Sequence, residues 1–164
     1  MKRILCMILC VICFLYGCSV SSERIKDPVH FYYLKNTLEY RSHDGVIARE
    51  EREASGHREN LSYLLALYRI GPSSEELRLP FPEGTAILMM EQTEKEIKLA
   101  LGSNASTMSD AEFSLACACL TLTCTELTNV ERVTVTNGQQ SITMTRESIT
   151  LLDTSMTEET EDTK

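Results

Sequence analysis

The chain has 164 residues and a mass of 18.5 kDa, which is room for one ordinary domain with short tails. Its formal net charge is −8 and its pI is about 4.9, which excludes a nucleic-acid binder, because phosphate contacts need clustered lysine and arginine. With 43% hydrophobic and 24% charged residues the composition is that of a globular chain, and the length excludes a transporter with many membrane spans.

The first eighteen residues have the pattern of a lipoprotein signal. Lys2 and Arg3 precede an apolar stretch at 4–16, which is too short for a spanning helix of about 20 residues. Residues 15–18, Leu-Tyr-Gly-Cys, resemble the bacterial lipobox, in which the cysteine thiol receives diacylglycerol before cleavage. We therefore expect a signal peptide at 1–17 and a lipid on Cys18 that holds the protein on the extracytoplasmic face of the cell membrane. An uncleaved anchor and a plain secretory signal are the alternatives.

A polar segment separates this signal from the first predicted strand. Residues 18–28 are predicted to be the lipidated N-terminus and a tether, and residues 29–150 to be one domain. The domain opens with a strand at 29–34, where aromatic and branched residues dominate. A second strand is predicted at 45–53, and its many charged residues favour an exposed or edge position.

Leucines and a tyrosine at helical spacing predict the first helix, over residues 58–70. Residues at i, i+3, i+4 and i+7 share one helix face, so they form an apolar stripe. The stripe consists of Leu61, Leu64, Leu65 and Tyr68. Gly71 suits a left-handed helix end and Pro72 prevents continuation, after which residues 73–84 predict a long loop.

Two short strands at 85–90 and 94–101 follow, and the short polar link between them favours a hairpin. The second helix is predicted over 109–127, because Ser109 and Glu112 stand where a capping box has its two residues. A competing pattern lies inside it, since the sequence LTLTCT alternates strictly and would suit a strand. The N-terminal signals and a long apolar stripe favour the helix.

Seven cysteines suggest a disulfide scaffold at first sight. Three of them belong to the signal peptide and Cys18 is assigned to the lipid, which leaves Cys117, Cys119 and Cys124. On a helix the outer two are separated by a rise of about 10.5 Å, whereas a disulfide needs Cα atoms within about 7 Å. We therefore expect buried free thiols, with a redox or metal role as the alternative.

The last hairpin is predicted from strands at 131–136 and 140–146 around Asn137-Gly138, which is a strong turn signal. Residues 151–164 are acidic and contain few apolar residues, so we expect a disordered tail. The predicted order is two strands, a helix, two strands, a helix and two strands. This order fits an α+β fold in which two amphipathic helices cover one face of a largely antiparallel sheet.

Several of these segments share their order with a known domain. They are Leu64-Leu65 with Gly71-Pro72, the segment LPFPEGT at 79–85, Leu-Ala-Leu at 99–101, the alanine-containing helix at 111–127, VERVTV at 130–135, and Gly138. With these features, residues 29–148 resemble the GerM domain, which is the sporulation and spore-germination domain. The sequence departs from that pattern at Gly102, where a hydroxyl residue is expected, and in having one copy of the domain.

The resemblance implies a non-catalytic envelope domain whose fold is related to modules that build rings in membrane-spanning complexes. Lipoproteins with this domain occur in spore-forming bacteria. It therefore implies a role in sporulation, germination or envelope assembly. The partners would be the membrane, through the lipid, and another extracytoplasmic or cell-wall protein.

The sequence contains no motif typical of a catalytic or metal site: no nucleophile elbow, no H-E-x-x-H and no glycine-rich phosphate loop. His30, His43 and His57 fall in a predicted strand and predicted turns, and we expect them to be structural. We predict that the protein is not an enzyme, with no catalytic residue, no metal ligand and no cofactor.

Two other functions stay open. A small-molecule or glycan-binding lipoprotein would need a concave apolar site with aromatic residues. The candidates lie early in the chain, at Phe31, Tyr32, Tyr33 and Tyr40. A cryptic hydrolase would instead pair His57 with a serine.

An interaction domain needs a surface rather than a pocket. The predicted edge strand at 45–53 offers one, because the free edge of a strand can pair with a strand of another protein. We therefore predict partner contacts at Val46, Ile47 and Arg49.

Overall fold

The computed structural model describes residues 25–36 and 45–150. The strands are β1 (Pro28–Lys35), β2 (Ile47–Glu53), β3 (Leu77–Arg78), β4 (Ile87–Gln92), β5 (Glu96–Leu101), β6 (Arg132–Thr136) and β7 (Ser141–Thr145). The helices are α1 (Leu61–Ile70) and α2 (Asp110–Leu127), and 3₁₀ turns lie at Ser103–Thr107 and Arg146–Ser148. Neither helix of these residues has the length and apolar content needed to cross a membrane. The predicted signal, Cys18 and acidic tail lie outside the described residues.

The strands form two sheets, which confirms the α+β class but divides the expected single sheet. The first has the order β2-β1-β3 and is antiparallel throughout. The second has the order β4-β5-β6-β7, in which β5 and β6 are parallel. That pair is parallel because α2 connects its two strands, whereas the hairpins β4–β5 and β6–β7 are antiparallel.

Helix α1 begins three residues later than predicted, because Asn60 caps it. The Asn60 side chain accepts a hydrogen bond from the N–H of Tyr63 at 3.0 Å. The four stripe residues predicted from the sequence are all buried. The helix ends at Gly71, whose φ of +101° lies in the region that favours glycine.

Helix α2 has the predicted capping box and remains helical through the segment LTLTCT. It departs from the expected single amphipathic face, since every residue from 116 to 124 is buried. The reason is its position: it packs against β1 of the first sheet and against β6 and β7 of the second. A helix with neighbours on both sides carries small and apolar residues around its whole circumference.

Side chains rather than a strand close part of the inner edge of β1. The strand β3 pairs only with Leu34 and Lys35 at the end of β1. Beyond that pairing, the Tyr32 N–H donates to Thr123 Oγ1 at 3.0 Å, and Tyr68 Oη donates to the Tyr32 carbonyl at 2.9 Å. Both helices therefore satisfy backbone groups that would otherwise be buried without partners.

Candidate functional site

The hydrogen bonds at the two ends of β2 identify which of its backbone groups do not bond to β1. Lys35 donates its N–H to the Val46 carbonyl at 2.9 Å, and Ala54 donates its N–H to the Asp27 carbonyl at 3.0 Å. Since backbone direction alternates along a strand, the even-numbered residues bond to β1. The odd-numbered residues direct their N–H and C=O groups away from the sheet. They are Ile47, Arg49, Glu51 and Glu53.

The three predicted contact residues lie together at this edge. Val46 precedes β2, and Ile47 and Arg49 are on its free side. Val46 and Ile47 are half-buried beside a hollow of about 300 Å³, which Leu115 and Met144 also line, whereas Arg49 is exposed. The edge therefore presents mainly charged side chains, with apolar ones at its first residues.

Two charged residues on the inner side of β2 are engaged in the structure itself. Glu50 Oε1 accepts the N–H groups of Ser73 and Ser74 at 2.8 and 3.0 Å, and its other oxygen lies 3.4 Å from Arg52 Nη1. Arg52 donates to the Gly71 carbonyl at 2.9 Å. Glu50 and Arg52 thus hold the loop that follows α1, so they are not available to a partner.

A second edge without a neighbouring strand in the described part of the chain belongs to β4, at one end of the other sheet. The side chains of its first four residues are apolar, and Leu88 is 70% and Met89 is 46% exposed, whereas Glu91 and Gln92 at its end are polar and exposed. A register shift between Ile87 and Met89 leaves Leu88 without a pairing residue on β5. Sequence reasoning identified this strand but not its edge. The signal that could have found it is the run Ile-Leu-Met-Met, which lacks the alternation of a half-buried strand.

The three cysteines of α2 are buried and free, as expected. Burial raises the pKa of the Cys117 and Cys124 thiols to about 12, and it raises the pKa of Cys119 well above its usual range. Among the described residues, no group of histidine, cysteine, aspartate and glutamate side chains is arranged to hold a metal ion. These thiols are protonated at neutral pH and act as small apolar side chains.

The histidines have local partners where the structure describes them. His30 Nδ1 lies 3.1 Å from Glu126 Oε1, and Glu126 also contacts Arg146 and the hydroxyl of the buried Tyr32. The His57 ring lies 4.2 Å from the ring of Tyr63, and within the described residues no serine hydroxyl hydrogen-bonds to it. His43 lies outside the described residues. The arrangement that a hydrolase would need is therefore not assembled around His57 in this part of the chain.

Residues 30–142 match the model of the Germane family, which is described as sporulation and spore germination. That match covers more than half of the chain. The chain belongs to the Germane family. The finding confirms the resemblance to the GerM domain, and the matched segment runs from β1 to β7 and includes both sheets and both helices.

Two solved structures are similar to this Germane chain. One is a candidate lipoprotein from Clostridium perfringens, with 18% identity, a TM-score of 0.46, and coverage of 74% of this chain and 90% of that one. The other contains the tandem GerMN domains of the sporulation protein GerM from Bacillus subtilis, with 21% identity and a TM-score of 0.48. That match covers 69% of this chain and 39% of the other. A search of curated proteins returns no relative.

The early aromatic residues of this Germane domain build its core rather than a pocket. Tyr33 and Tyr68 stack with ring centroids 4.8 Å apart, and Phe31 meets the Tyr68 ring edge-on at 5.6 Å. All three side chains are buried. Tyr32 points to the other side of β1, and Tyr40 lies outside the described residues. The early aromatic residues that the structure describes, Phe31, Tyr32 and Tyr33, thus do not line the concave site that glycan binding would need.

Proposed function

We propose that this Germane-family chain is a lipid-anchored envelope protein whose domain binds another protein outside the cytoplasm and catalyses no reaction. Its role is in sporulation, germination or envelope assembly. The observation that carries the proposal is a pair of strand edges in a domain of this family, β2 and β4, each at one end of its sheet and with no further strand beside it among residues 25–36 and 45–150. Free edges offer the hydrogen bonds with which proteins recognise extended segments of their partners.

The anchor in this proposal is the lipid on Cys18. Cleavage before Cys18 removes 17 of 164 residues and both Lys2 and Arg3, so the mature chain has 147 residues and 14 basic against 24 acidic side chains, a net charge of −10. Each buried CH₂ contributes about 0.8 kcal/mol, so two or three acyl chains hold the protein at the membrane. In cells fed a labelled fatty acid, the label should be incorporated into the wild-type protein and not into the Cys18→Ala variant. Label retained by the variant would contradict the anchor.

The contact surface in this proposal includes the free edge of β2 at Val46, Ile47 and Arg49. Proline at Ile47 and Arg49 removes two outward N–H groups and no bond to β1, because the odd-numbered residues face away from the sheet. The double variant should fold and bind its partner more weakly. Proline at Ala48 is the matched control, since it removes a bond to β1 and should destabilise the domain. Unchanged partner binding in the double variant would count against this surface.

The partner itself is sought by cross-linking in living cells with the tagged, membrane-bound protein, followed by mass spectrometry. We expect one discrete envelope or cell-wall protein, whose capture falls in the Ile47→Pro, Arg49→Pro variant. Capture of nothing above background by an abundant, lipidated protein would contradict the interaction role.

A further inference from the structure

A narrow groove separates the edge strand β4 from helix α1. On one side it is lined by Ser62, Ala66 and Arg69 of α1, with Leu65 at its floor. On the other side it is lined by four consecutive residues, 87–90, of β4. Successive side chains of a strand point to opposite faces, so a groove that touches four in a row follows the edge of the strand rather than one face.

The groove continues along the whole strand. Beyond Met90 it opens into a broader hollow beside Gln92, which residues 56–60 line on the other side. Ser62 and Met90 line both parts, so the two are continuous. A six-residue strand is about 20 Å long, which is the length of an extended peptide of about six residues.

The outward backbone groups of β4 can be assigned as for β2. Thr93 donates its N–H to the Glu96 carbonyl at 2.8 Å, and Gly102 donates its N–H to the Ala86 carbonyl at 2.7 Å. The alternation from the Thr93 end makes Met89 and Glu91 bond to β5. Met90 and Gln92 therefore direct their N–H and C=O groups into the groove.

The size and lining of the narrow part of the groove fit a side chain rather than a free ligand. Its narrow part encloses about 150 Å³, whereas sites for small molecules enclose about 300–1,000 Å³. Four large apolar side chains are exposed among the described residues, and two of them, Leu88 and Met89, line this groove. An exposed apolar edge of this kind is expected to be covered in use.

The charge of the groove specifies its occupant further. Arg69 is the one charged residue that lines the narrow part. Its Nε donates to the Thr85 carbonyl at 3.0 Å, and in residues 25–36 and 45–150 no carboxylate pairs with it. A guanidinium beside an apolar groove is complemented by a carboxylate on the molecule that binds there. A second copy of the chain is disfavoured, because each mature copy has a net charge of −10.

We propose that this groove binds an extended segment of a partner protein, which adds to β4 as a strand. The segment hydrogen-bonds to Met90 and Gln92, places apolar side chains at alternate positions against Ala66, and sets one aspartate or glutamate against Arg69. This inference rests on the proposed role as an interaction module and names the class of segment that the module recognises.

The test begins with selection of random eight-residue peptides displayed on phage against the full chain in lipid nanodiscs. Enriched peptides should alternate apolar and polar residues and carry one acidic residue. A synthetic peptide of the enriched sequence should then lose affinity by about tenfold or more on Ala66→Trp, which fills the groove. Ala111→Trp, at another exposed alanine on α2, is the matched control and should change the affinity by less than about twofold.

Two further comparisons distinguish strand addition and charge recognition from non-specific hydrophobic binding. Arg69→Glu should lower the affinity for the acidic peptide. The same variant should bind a peptide in which lysine replaces the acidic residue. N-methylation of either the odd-numbered or the even-numbered backbone nitrogens of the peptide should abolish binding, and N-methylation of the other set should leave it intact. The reason is that only one of the two sets faces β4.

Three results would overturn the inference: no enriched pattern, binding that Ala66→Trp leaves unchanged, or self-association of the chain through β4. Circular dichroism of each variant establishes that it is folded. Fatty-acid labelling of the wild-type chain tests the anchor separately, so intact labelling without an enriched peptide contradicts the groove and leaves the lipid-anchored role standing.

Discussion

The free edges of β2 and β4 end the two sheets of one domain, yet they present opposite chemistry. On β2 the outward-facing residues include Arg49, Glu51 and Glu53, whose charges keep the edge hydrated. On β4 the exposed side chains are Leu88 and Met89 in the first half and Glu91 and Gln92 in the second. Helix α1 lies beside the first half of this strand, across a narrow groove. Charged side chains are a usual protection of an edge strand against unwanted pairing.

This difference indicates that the two edges are suited to different contacts. The edge of β2 is protected and can pair only with a strand of complementary charge. The apolar first half of β4, residues 87–90, lacks that protection, which is costly in water unless a partner covers it. The following predictions test whether the contrast lies in the edges themselves or in the packing behind them.

Glu50→Ala should have the largest effect on folding. It leaves the Ser73 and Ser74 N–H groups and Arg52 without the carboxylate that they share, and the Glu50 side chain is only 11% exposed. We expect a loss of about 3 kcal/mol in the free energy of unfolding, measured with urea. Glu51→Ala, one residue along on the exposed side, should cost less than about 0.5 kcal/mol. Equal effects would show that the two sides of β2 do not differ.

Tyr68→Phe should have a smaller effect, on the closed inner edge of β1. The variant leaves the Tyr32 carbonyl without the hydroxyl that donates to it at 2.9 Å, in a fully buried position. The expected loss is about 1–3 kcal/mol in the free energy of unfolding, again from urea titration. Tyr63→Phe, on the same helix and half-buried, should stay within about 0.5 kcal/mol of the wild type. A neutral Tyr68→Phe would mean that β1 does not depend on this closure.

Exchanging the character of the two free edges should leave stability unchanged and alter solubility. Leu88→Lys replaces a side chain that is 70% exposed, so the free energy of unfolding should change by less than about 0.5 kcal/mol. The same variant should be more soluble in ammonium sulfate, and Glu51→Leu on β2 should be less soluble. A large loss of stability in Leu88→Lys would show that Leu88 packs in the domain instead of facing a partner.

Local signals in the sequence were enough to predict most of the elements. The Leu61–Tyr68 stripe, the Ser109–Glu112 capping box and the Asn137-Gly138 turn each act within a few residues, and each appears in the structure. The division into two sheets could not be predicted in this way. It depends on contacts such as that between Tyr32 and Thr123, which are 91 residues apart.

The candidate surfaces show the same limit. The charged composition of β2 indicated an edge strand, and the structure places it at the end of its sheet. The apolar run of β4 predicts a strand, but it does not indicate that this strand ends its sheet. Only the fold brings α1 beside that strand and leaves Arg69 at the groove without a carboxylate partner in the described part of the chain.

The most direct test of the account is amide hydrogen exchange of the full chain, measured by NMR in nanodiscs with and without the selected acidic peptide. Without peptide, the outward amides of Arg49, Met90 and Gln92 should exchange faster than those of their neighbours in the ladders. With peptide, Met90 and Gln92 should become protected while Arg49 stays unchanged. Protection that appears on β2 alone, or on neither edge, would contradict the assignment of β4 as the edge that receives an apolar, acidic strand.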